Sequence, residues 1–541
     1  MIVTFTSHNK AVKAAAGENL LDIISRAGII LDGSCGGNGN CGCCKVQIVG
    51  GRICALTPRE KILLGAEEIA GQYRLACHVR IDDDLQVKIP RSRQTDNRKS
   101  RLNCLPSHFY LPPGDRKQGL GIAFDVGTTT VAGLLWDMGK AELLDAVALT
   151  NPQSIYGADV ISRINFCGEA PANLGIMQKK IIDCCNHILH ILLAKQQRAA
   201  TEITEAVMVG NSTMSHIFLG ISPASLAALP FLPAFSGPQN VTAAALGLGI
   251  EPGAVVYVLP NIAGHVGSDI SAGLMAADLW QKKGNHIFLD MGTNGEIVLF
   301  ADGNICACST AAGPAFEGAS IEQGMRAVSG AVEGVSIESG QVKLKVIDQA
   351  GATGICGSGL IDTLAALLEN GLVQKNGRLI DAAAAEKNHI HKDLICRLQI
   401  SADGVRAFLL QANEGRQDLR LTQRDIREVQ LGKGAIACGI NILLQKSGLY
   451  PEDIDSIVLA GAFGNFINKK SAQRIGLLPA VAPEKIHSVG NAAGIGASMA
   501  LLSDPLRLEL GERVRKIDHV ELAGWPGFQE QFLQDMSFPG A

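Results

Sequence analysis

Apolar and polar residues alternate over short stretches at the start of the chain, and this alternation predicts β-strands. Val3 and Phe5 alternate with threonines, and Val46 and Ile48 flank a polar residue. Between these strands the apolar residues follow helical spacing instead. The predicted helix face comprises Leu20, Leu21, Ile24 and Ala27. A later predicted strand contains Leu85, Val87 and Ile89. Residues 1–90 are therefore predicted to form a small domain of several strands and a helix.

A larger α/β region is predicted further along, where apolar strands alternate with amphipathic helices. The apolar positions around Ile181 and Ile182 recur at helical spacing and indicate a core-facing helix. We expect two α/β halves joined across a cleft, at residues 119–283 and 284–541. The stretch 91–118 is polar and contains several arginines and prolines, which favours a solvated linker. A basic docking strip for an acidic partner is the alternative.

Composition narrows the class of protein. The chain has 541 residues, which is too long for one core, and 47% of them are hydrophobic. Its 48 basic and 52 acidic side chains give a net charge of −4, so nothing attracts it overall to nucleic acid or anionic membranes. No apolar run approaches the roughly 20 residues that span a bilayer. The first residues alternate like a strand and lack the apolar stretch of a secretory signal, so we expect none. We expect a multidomain cytoplasmic protein.

Four cysteines have a spacing that indicates metal chemistry. Cys35, Cys41 and Cys44 lie in one glycine-rich loop, and Cys77 follows after a gap of 32 residues. Three thiolates in one loop and a fourth at a distance is the plant-type layout for a [2Fe–2S] cluster. Glycines let the backbone approach the cluster sulfides closely. The spacing predicts a [2Fe–2S] cluster in a ferredoxin-like β-grasp domain.

Alternative ligands and metals remain open at this site. Cys43 could compete with Cys44, although the C-x2-C spacing favours Cys44. Zinc or free thiols are the main alternatives, but a zinc site built from one loop usually shows two paired CxxC units. The other eleven cysteines, Cys43 included, have no ligand spacing and are expected to be reduced thiols, mostly buried.

Two segments 165 residues apart share one pattern: an apolar strand, an Asp-x-Gly-Thr turn and a second apolar strand. The aspartate can hold Mg²⁺ through water, and the amides and hydroxyls of the turn can hold phosphates. The predicted site residues are Asp125, Gly127, Thr128, Thr129 and Thr130 in the first segment, and Asp290, Gly292, Thr293, Asn294 and Gly295 in the second. Two such hairpins indicate a duplicated fold with a phosphate clamp on each side of a cleft.

A third element follows a buried strand near the end of the chain. There the backbone could contact a purine or ribose, through Gly461, Ala462, Phe463 and Gly464. In order and character the three elements resemble the actin-like ATPase superfamily, which includes sugar kinases, actin and heat-shock chaperones and has a duplicated RNase H-like fold. The alternative is two unrelated hairpins and a strand–turn–helix.

Further glycine-rich segments are candidates for the same cleft. They carry Asn211, Asp269 and Glu317. Purely structural turns would explain these segments equally well.

Taken together, the chain resembles the ATP-dependent reductive activators of corrinoid-dependent enzymes, which serve corrinoid iron–sulfur proteins and methyltransferase systems. The resemblance covers nearly the whole length. It depends on the four spaced cysteines, the linker and the segments DVGTTTV, VGNSTM, LDMGTNGEIVL, AAGPAFEGA, GICGSGLID and LAGAFG.

The resemblance implies a one-electron reduction of inactive Co(II) to Co(I) through the [2Fe–2S] cluster, made possible by ATP with Mg²⁺. Asp125 and Asp290 would position Mg²⁺ and the attacking water, the two turns would hold phosphates, and Gly461–Gly464 the nucleoside. The implied partners are a corrinoid protein of a methyltransferase system, such as one for O-demethylation, and an electron-donating reductase or ferredoxin. A homodimer formed through the C-terminal part is also implied.

Three other functions are compatible with parts of the pattern. An actin-like kinase with an appended redox-sensing ferredoxin domain would phosphorylate a small acceptor, but no sugar-binding signature is evident. Activators of 2-hydroxyacyl-CoA dehydratases hold their cluster with cysteines inside the ATPase fold, unlike this chain. A non-enzymatic scaffold would bind nucleotide without appreciable hydrolysis.

Overall fold

The structure is a computed structural model that describes residues 1–27, 29, 31, 44–90, 105–401, 404–413, 417–464 and 466–540. These residues form two compact units, one of residues 1–269 with 497–511 and one of residues 270–496 with 512–541. Residues 497–511 therefore join the first unit, although they lie within the predicted domain 284–541. The domain boundaries inferred from sequence stay predictions, and 91–104 of the expected linker lies outside the described residues.

The N-terminal part of the first unit is a five-stranded sheet with three short helices. Its elements are β1 (Ile2–Phe5), β2 (Lys10–Lys13), α1 (Leu20–Arg26), β3 (Lys45–Gly51), α2 (Pro58–Leu63), α3 (Ala66–Ala70), β4 (Tyr73–Leu75) and β5 (Leu85–Lys88). The strand order is β2-β1-β5-β3-β4, with β1 parallel to β5. Leu20, Val46 and Val87 are fully buried in one core. The predicted β-grasp domain is confirmed.

A six-stranded sheet follows in the same unit. Its elements are β6 (Leu120–Val126), β7 (Thr130–Asp137), β8 (Glu142–Thr150), α4 (Val160–Glu169), α5 (Asn173–Gln196), β9 (Ile203–Val209), α6 (Ser212–Leu219), β10 (Gln239–Thr242), α7 (Ala243–Leu246) and β11 (Val255–Val258). The next helix, α8 (Ser268–Ala276), begins in this unit and continues into the second. The strand order is β10-β11-β9-β6-β7-β8. The predicted apolar face of α5 is buried at Ile181, Ile182 and Ile188, which confirms that this face belongs to the core.

The second unit contains a six-stranded sheet and two three-stranded sheets. Along the chain from residue 286 the elements are β12 (His286–Met291), β13 (Gly295–Ala301), β14 (Asn304–Thr310), β15 (Ala331–Glu338), β16 (Gln341–Val346), β17 (Gly354–Ile355), α9 (Gly357–Glu369), α10 (Ala382–Lys387), α11 (Lys392–Ile395), β18 (Leu398–Ile400), β19 (Arg406–Gln411), β20 (Leu419–Thr422), α12 (Gln423–Ser447), β21 (Ser456–Ala460), α13 (Gly461–Gly464), α14 (Lys469–Arg474), β22 (Ile486–Gly490), α15 (Ala492–Leu502), α16 (Asp504–Val514), β23 (Asp518–His519) and α17 (Phe528–Met536). The parts of α15 and α16 within residues 497–511 belong to the first unit. The large sheet has the order β22-β21-β12-β13-β14-β23.

The two large sheets share the topology of five of their six strands. In the first, β6, β7 and β8 are antiparallel neighbours and β9 and β11 add parallel strands. In the second, β12, β13 and β14 are antiparallel and β21 and β22 add parallel strands. The register repeats as well, since Asp125 is paired with Val209 and Asp290 with Ala460, each the last residue of the adjacent parallel strand. The predicted duplication is confirmed.

Within the part of the chain that the structure describes, no helix combines the length and apolar character needed to cross a membrane.

Candidate cluster and nucleotide sites

Strand pairing brings two of the predicted cluster ligands together. Cys44 lies directly before β3 and Cys77 shortly after β4, and the antiparallel register of these strands pairs Lys45 with Leu75. The Cys44 and Cys77 sulfurs lie 3.2 Å apart, well beyond a disulfide bond of about 2.05 Å. Two thiols side by side fit ligands of one metal ion, as the predicted cluster requires. Cys35, Cys41 and Cys43 lie outside the described residues.

A buried ion pair between Glu60 and Arg74 lies next to the end of β4, close to Cys77 in the sequence. Both oxygens of Glu60 accept hydrogen bonds of 2.8 Å from the guanidinium of Arg74 in β4, and the Leu75 N–H donates to Oε1 at 3.0 Å. Burial acts to raise the pKa of Glu60, but Arg74 and the N–H groups of Thr57 and Leu75 outweigh it and lower this pKa to about 2. The pair therefore fixes the end of β4 just before Cys77. Sequence analysis missed it, because neither residue belongs to a motif.

The first phosphate turn joins β6 to β7. The Gly127 N–H donates to the Thr130 carbonyl at 2.9 Å, and a Cβ on Gly127 would lie 2.8 Å from that same oxygen. Glycine is therefore required for the tight turn. The chain here exposes part of Thr128 and Thr129, while Asp125 is half-buried at the end of β6.

The VGNSTM segment supports the same turn. Asn211 caps α6 by accepting a hydrogen bond from the Met214 N–H, and its Nδ2 donates to Thr128 Oγ1, both at 2.9 Å. The loop fits closely, since a Cβ on Gly210 would lie 2.6 Å from the Val126 carbonyl. Asn211 thus lies beside the first turn, and the Asp269 N–H donates to the carbonyl of the preceding residue Gly210 at 3.3 Å.

The second phosphate turn is one residue shorter. The Gly292 N–H donates to the Asn294 carbonyl at 2.9 Å. Gly295 already belongs to β13, where it is paired with Met291 of β12. Gly295 is buried, and a Cβ there would lie 2.9 Å from Ile436, which gives close packing as a sufficient reason for glycine. Its role in phosphate binding stays a prediction.

Glu317 adds a carboxylate beside the second turn. The Thr293 hydroxyl donates to Glu317 Oε1 at 2.7 Å. Glu317 comes from the AAGPAFEGA segment, whose spacing alone did not distinguish a site residue from a structural turn. The contact places it next to a predicted phosphate ligand.

Asp290 is enclosed by the third element. Gly461 has φ +80° and packs so closely that a Cβ would lie 2.6 Å from Asp290 Oδ1. Desolvation raises the pKa of Asp290 to about 6, and a bound cation would reverse this by favouring the carboxylate. The backbone of Gly461–Gly464 forms α13, whereas the side chains of Ala462 and Phe463 are outside the described part. The carboxyl and its glycine cradle fit a Mg²⁺–nucleotide site.

Comparisons with known families match almost all of this arrangement. Residues 3–82 match the 2Fe-2S iron-sulfur cluster binding domain, residues 120–282 the RACo middle region, and residues 284–541 the C-terminal domain of RACo, the ASKHA domain. The fold and the sites thus define a class of enzyme in which a [2Fe–2S] domain is fused to an ATPase, with the cluster, ATP and Mg²⁺ as cofactors.

Individual relatives identify the family within that class. The chain is 36% identical over 433 residues to the corrinoid activation enzyme RamQ of Eubacterium limosum, covering 79% of this chain and 72% of that protein. It is 24% identical over 466 residues to the [Co(II) methylated amine-specific corrinoid protein] reductase of Methanosarcina barkeri, covering 77% of each. The solved structure of a reductive activator for corrinoid,iron-sulfur protein aligns with a TM-score of 0.70 and 30% identity, covering 100% of this chain and 98% of that one. The chain belongs to the corrinoid reductive activator family.

Proposed function

We propose that this chain returns a corrinoid protein from inactive Co(II) to Co(I) with one electron, in an ATP-dependent reaction. Membership of the activator family supports the reductive activation. The observation that carries the proposal is the combination, in one chain, of a paired-thiol site in a ferredoxin-like domain and a duplicated ATPase fold with two phosphate turns.

We assign roles to the chain's own residues as follows. Asp125 and Asp290 position Mg²⁺ and the attacking water, since each is the second-last residue of a strand that leads into a phosphate turn. Asn211 holds the Thr128 hydroxyl and Glu317 holds the Thr293 hydroxyl. Phosphates are bound by Gly127, Thr128, Thr129, Thr130, Gly292, Thr293, Asn294 and Gly295, the nucleoside by Gly461–Gly464, and the cluster by Cys35, Cys41, Cys44 and Cys77.

The energetic need for ATP follows from the redox chemistry. When bound, a plant-type [2Fe–2S] cluster supplies one electron at about −400 mV. An electron moved uphill costs about 2.3 kcal/mol per 100 mV, so reduction of a cobalt centre of lower potential requires coupling. Residues that hold ATP can supply that coupling only if the ATP and ADP states bind the partner differently.

The partner of this chain is, in our proposal, a corrinoid protein of a methyltransferase system, with a reductase or ferredoxin as electron donor. We also propose a homodimer and a cytoplasmic location.

Direct assay of the substrate tests the proposed function. The reduced holoprotein is mixed anaerobically with a Co(II) corrinoid protein and MgATP, while the Co(II) paramagnetic signal and the Co(I) absorbance are followed. We expect Co(II) to disappear as Co(I) forms. Transfer of the γ-phosphate to a small acceptor, without Co(I), would instead support the kinase alternative.

A further inference from the structure

Arg163 in α4 is a fully buried cation directly behind the first phosphate turn. Its side chain has no solvent exposure. One terminal nitrogen donates to the Thr128 carbonyl at 2.6 Å, and the Nε–H donates to the Gly157 carbonyl at 3.0 Å. The other terminal nitrogen contacts Gln153 Oε1 at 3.2 Å and the Met214 sulfur at 3.3 Å.

These partners are neutral oxygen and sulfur atoms. Among the described residues no carboxylate forms an ion pair with Arg163. Asp159, the cap residue of the same helix, accepts a hydrogen bond from the Ser162 N–H and acts on the guanidinium only through its charge. Burial of a charge without an ion-pair partner costs several kcal/mol. Desolvation lowers the pKa of Arg163 to about 10, although the charge of Asp159 acts in the opposite direction. An anion bound nearby would offset this cost.

The neighbouring contacts show where such an anion would bind. The Asn151 Nδ2 donates to the Gly127 carbonyl at 2.8 Å, and the Asn151 N–H donates to the Thr129 carbonyl at 2.9 Å. Together with Arg163, Asn151 thus holds three consecutive carbonyls of the turn on the buried side. Because the N–H of a trans peptide points opposite to its C=O, the amides that follow these carbonyls face away from the buried cluster. Successive outward N–H groups form an anion-binding concavity.

We propose that Arg163 is a positioning residue for ATP: it holds the Thr128 peptide and supplies, through that peptide, the positive charge that favours a phosphate at the first turn. The guanidinium never contacts the phosphate. Its hydrogen bond polarises the Thr128–Thr129 peptide, which strengthens the donor on the opposite side. This inference rests on the proposed assignment of the first turn to phosphate binding.

The test measures MgADP binding by calorimetry and the ATPase kcat and KM of the full-length holoprotein. Arg163→Gln removes the charge, Arg163→Lys retains it, and Arg198→Gln is the control because Arg198 lies in the same unit in a surface pair with Glu202. We expect Arg163→Gln to weaken MgADP binding and raise the KM about tenfold, with kcat changed less, as for loss of a charged hydrogen bond. Arg163→Lys should stay within about threefold of wild type, and Arg198→Gln within about twofold.

Two results would overturn the proposal. One is a wild-type affinity for MgADP in Arg163→Gln. The other is equally weakened MgADP binding in Arg163→Lys and Arg163→Gln, because this would indicate only a structural role.

If Arg163→Gln does not fold, Gln153→Glu replaces it in the test, because the new carboxylate would pair with the guanidinium. Unchanged MgADP affinity in Gln153→Glu would contradict the role of the charge. A wild-type protein that binds MgADP but yields no Co(I) would contradict the proposed function and leave this inference standing.

Discussion

At the residue scale, the environment of Asp290 favours a bound cation. Asp290 is the second-last residue of β12, the backbone of Gly461 packs closely against its carboxyl group, and desolvation raises its pKa to about 6. A carboxyl in this setting gains most from a positive charge, because the charge offsets its desolvation. Removal of the Asp290 carboxylate should therefore affect nucleotide chemistry. It should not affect the cluster cysteines, which lie far away in the sequence.

We expect Asp290→Asn to lower the ATPase rate at least about 100-fold, a typical loss for a positioned catalytic group, and to leave the cluster absorbance unchanged. Cys41→Ser should lower the cluster absorbance and leave the ATPase rate unchanged. Asp302→Asn, at an exposed turn after β13, is the control and should behave as wild type. Normal hydrolysis by Asp290→Asn would show that the second phosphate turn is wrongly assigned.

Glu60 provides a second test at the residue scale. Breaking its buried pair with Arg74 by Glu60→Gln should cost about 3 kcal/mol or more of unfolding free energy, measured by urea unfolding of the ferredoxin-like domain within the whole chain. Glu68→Gln, in a half-exposed pair with Lys45, should cost less than about 1 kcal/mol.

The pH dependence of the Glu60 contribution has a definite sign. Because folding lowers the pKa of Glu60 from 4.5 to about 2, its stabilisation is complete above pH 4.5 and is lost as the pH falls toward 2. The difference between wild type and Glu60→Gln should thus be constant from pH 5 to 8, as measured by urea unfolding at several pH values. A difference that grows as the pH falls through that range would contradict the assignment.

At the element scale, the glycine that begins α13 positions the third element against β12. Ala at position 461 would combine a left-handed φ of +80° with a Cβ 2.6 Å from Asp290 Oδ1. We expect Gly461→Ala to raise the ATP KM about tenfold or more, since a misplaced group in a nucleotide site costs at least that much. Gly448→Ala is a matched control, because Gly448 has φ +67° but nothing within 4 Å of the added atom. If both variants hydrolyse ATP normally, the third element does not contact the nucleotide.

Elements with a local signature could be predicted from the sequence. The two Asp-x-Gly-Thr hairpins, the helix of Ile181 and the strands of the N-terminal domain were all predicted, since each depends on residues close in the chain. The support of the first turn could be predicted only in part. The segment that carries Asn211 was a candidate for the same cleft, and Asn211 contacts the Thr128 hydroxyl. Asn151 and Arg163 belong to no motif, and only tertiary packing brings them to the carbonyls of the turn. The residues inferred for the site itself stay predictions.

At the scale of the whole molecule, one chain combines an electron carrier with a nucleotide-hydrolysing fold. The family match extends over both parts, from residue 3 to residue 541. A chain used only to carry electrons would not need a duplicated ATPase fold, and a kinase would not need a cluster domain. The combination is explained if ATP controls an electron transfer that is unfavourable without it.

The most direct measurement of this claim is a single-turnover reduction. The reduced holoprotein and its Co(II) corrinoid partner are mixed anaerobically with MgATP, with a non-hydrolysable analogue or without nucleotide, and the Co(II) paramagnetic signal is followed in wild type and Asp290→Asn. We predict Co(I) formation in wild type with MgATP and none without nucleotide or in Asp290→Asn. Equal Co(I) formation with and without nucleotide would contradict the account.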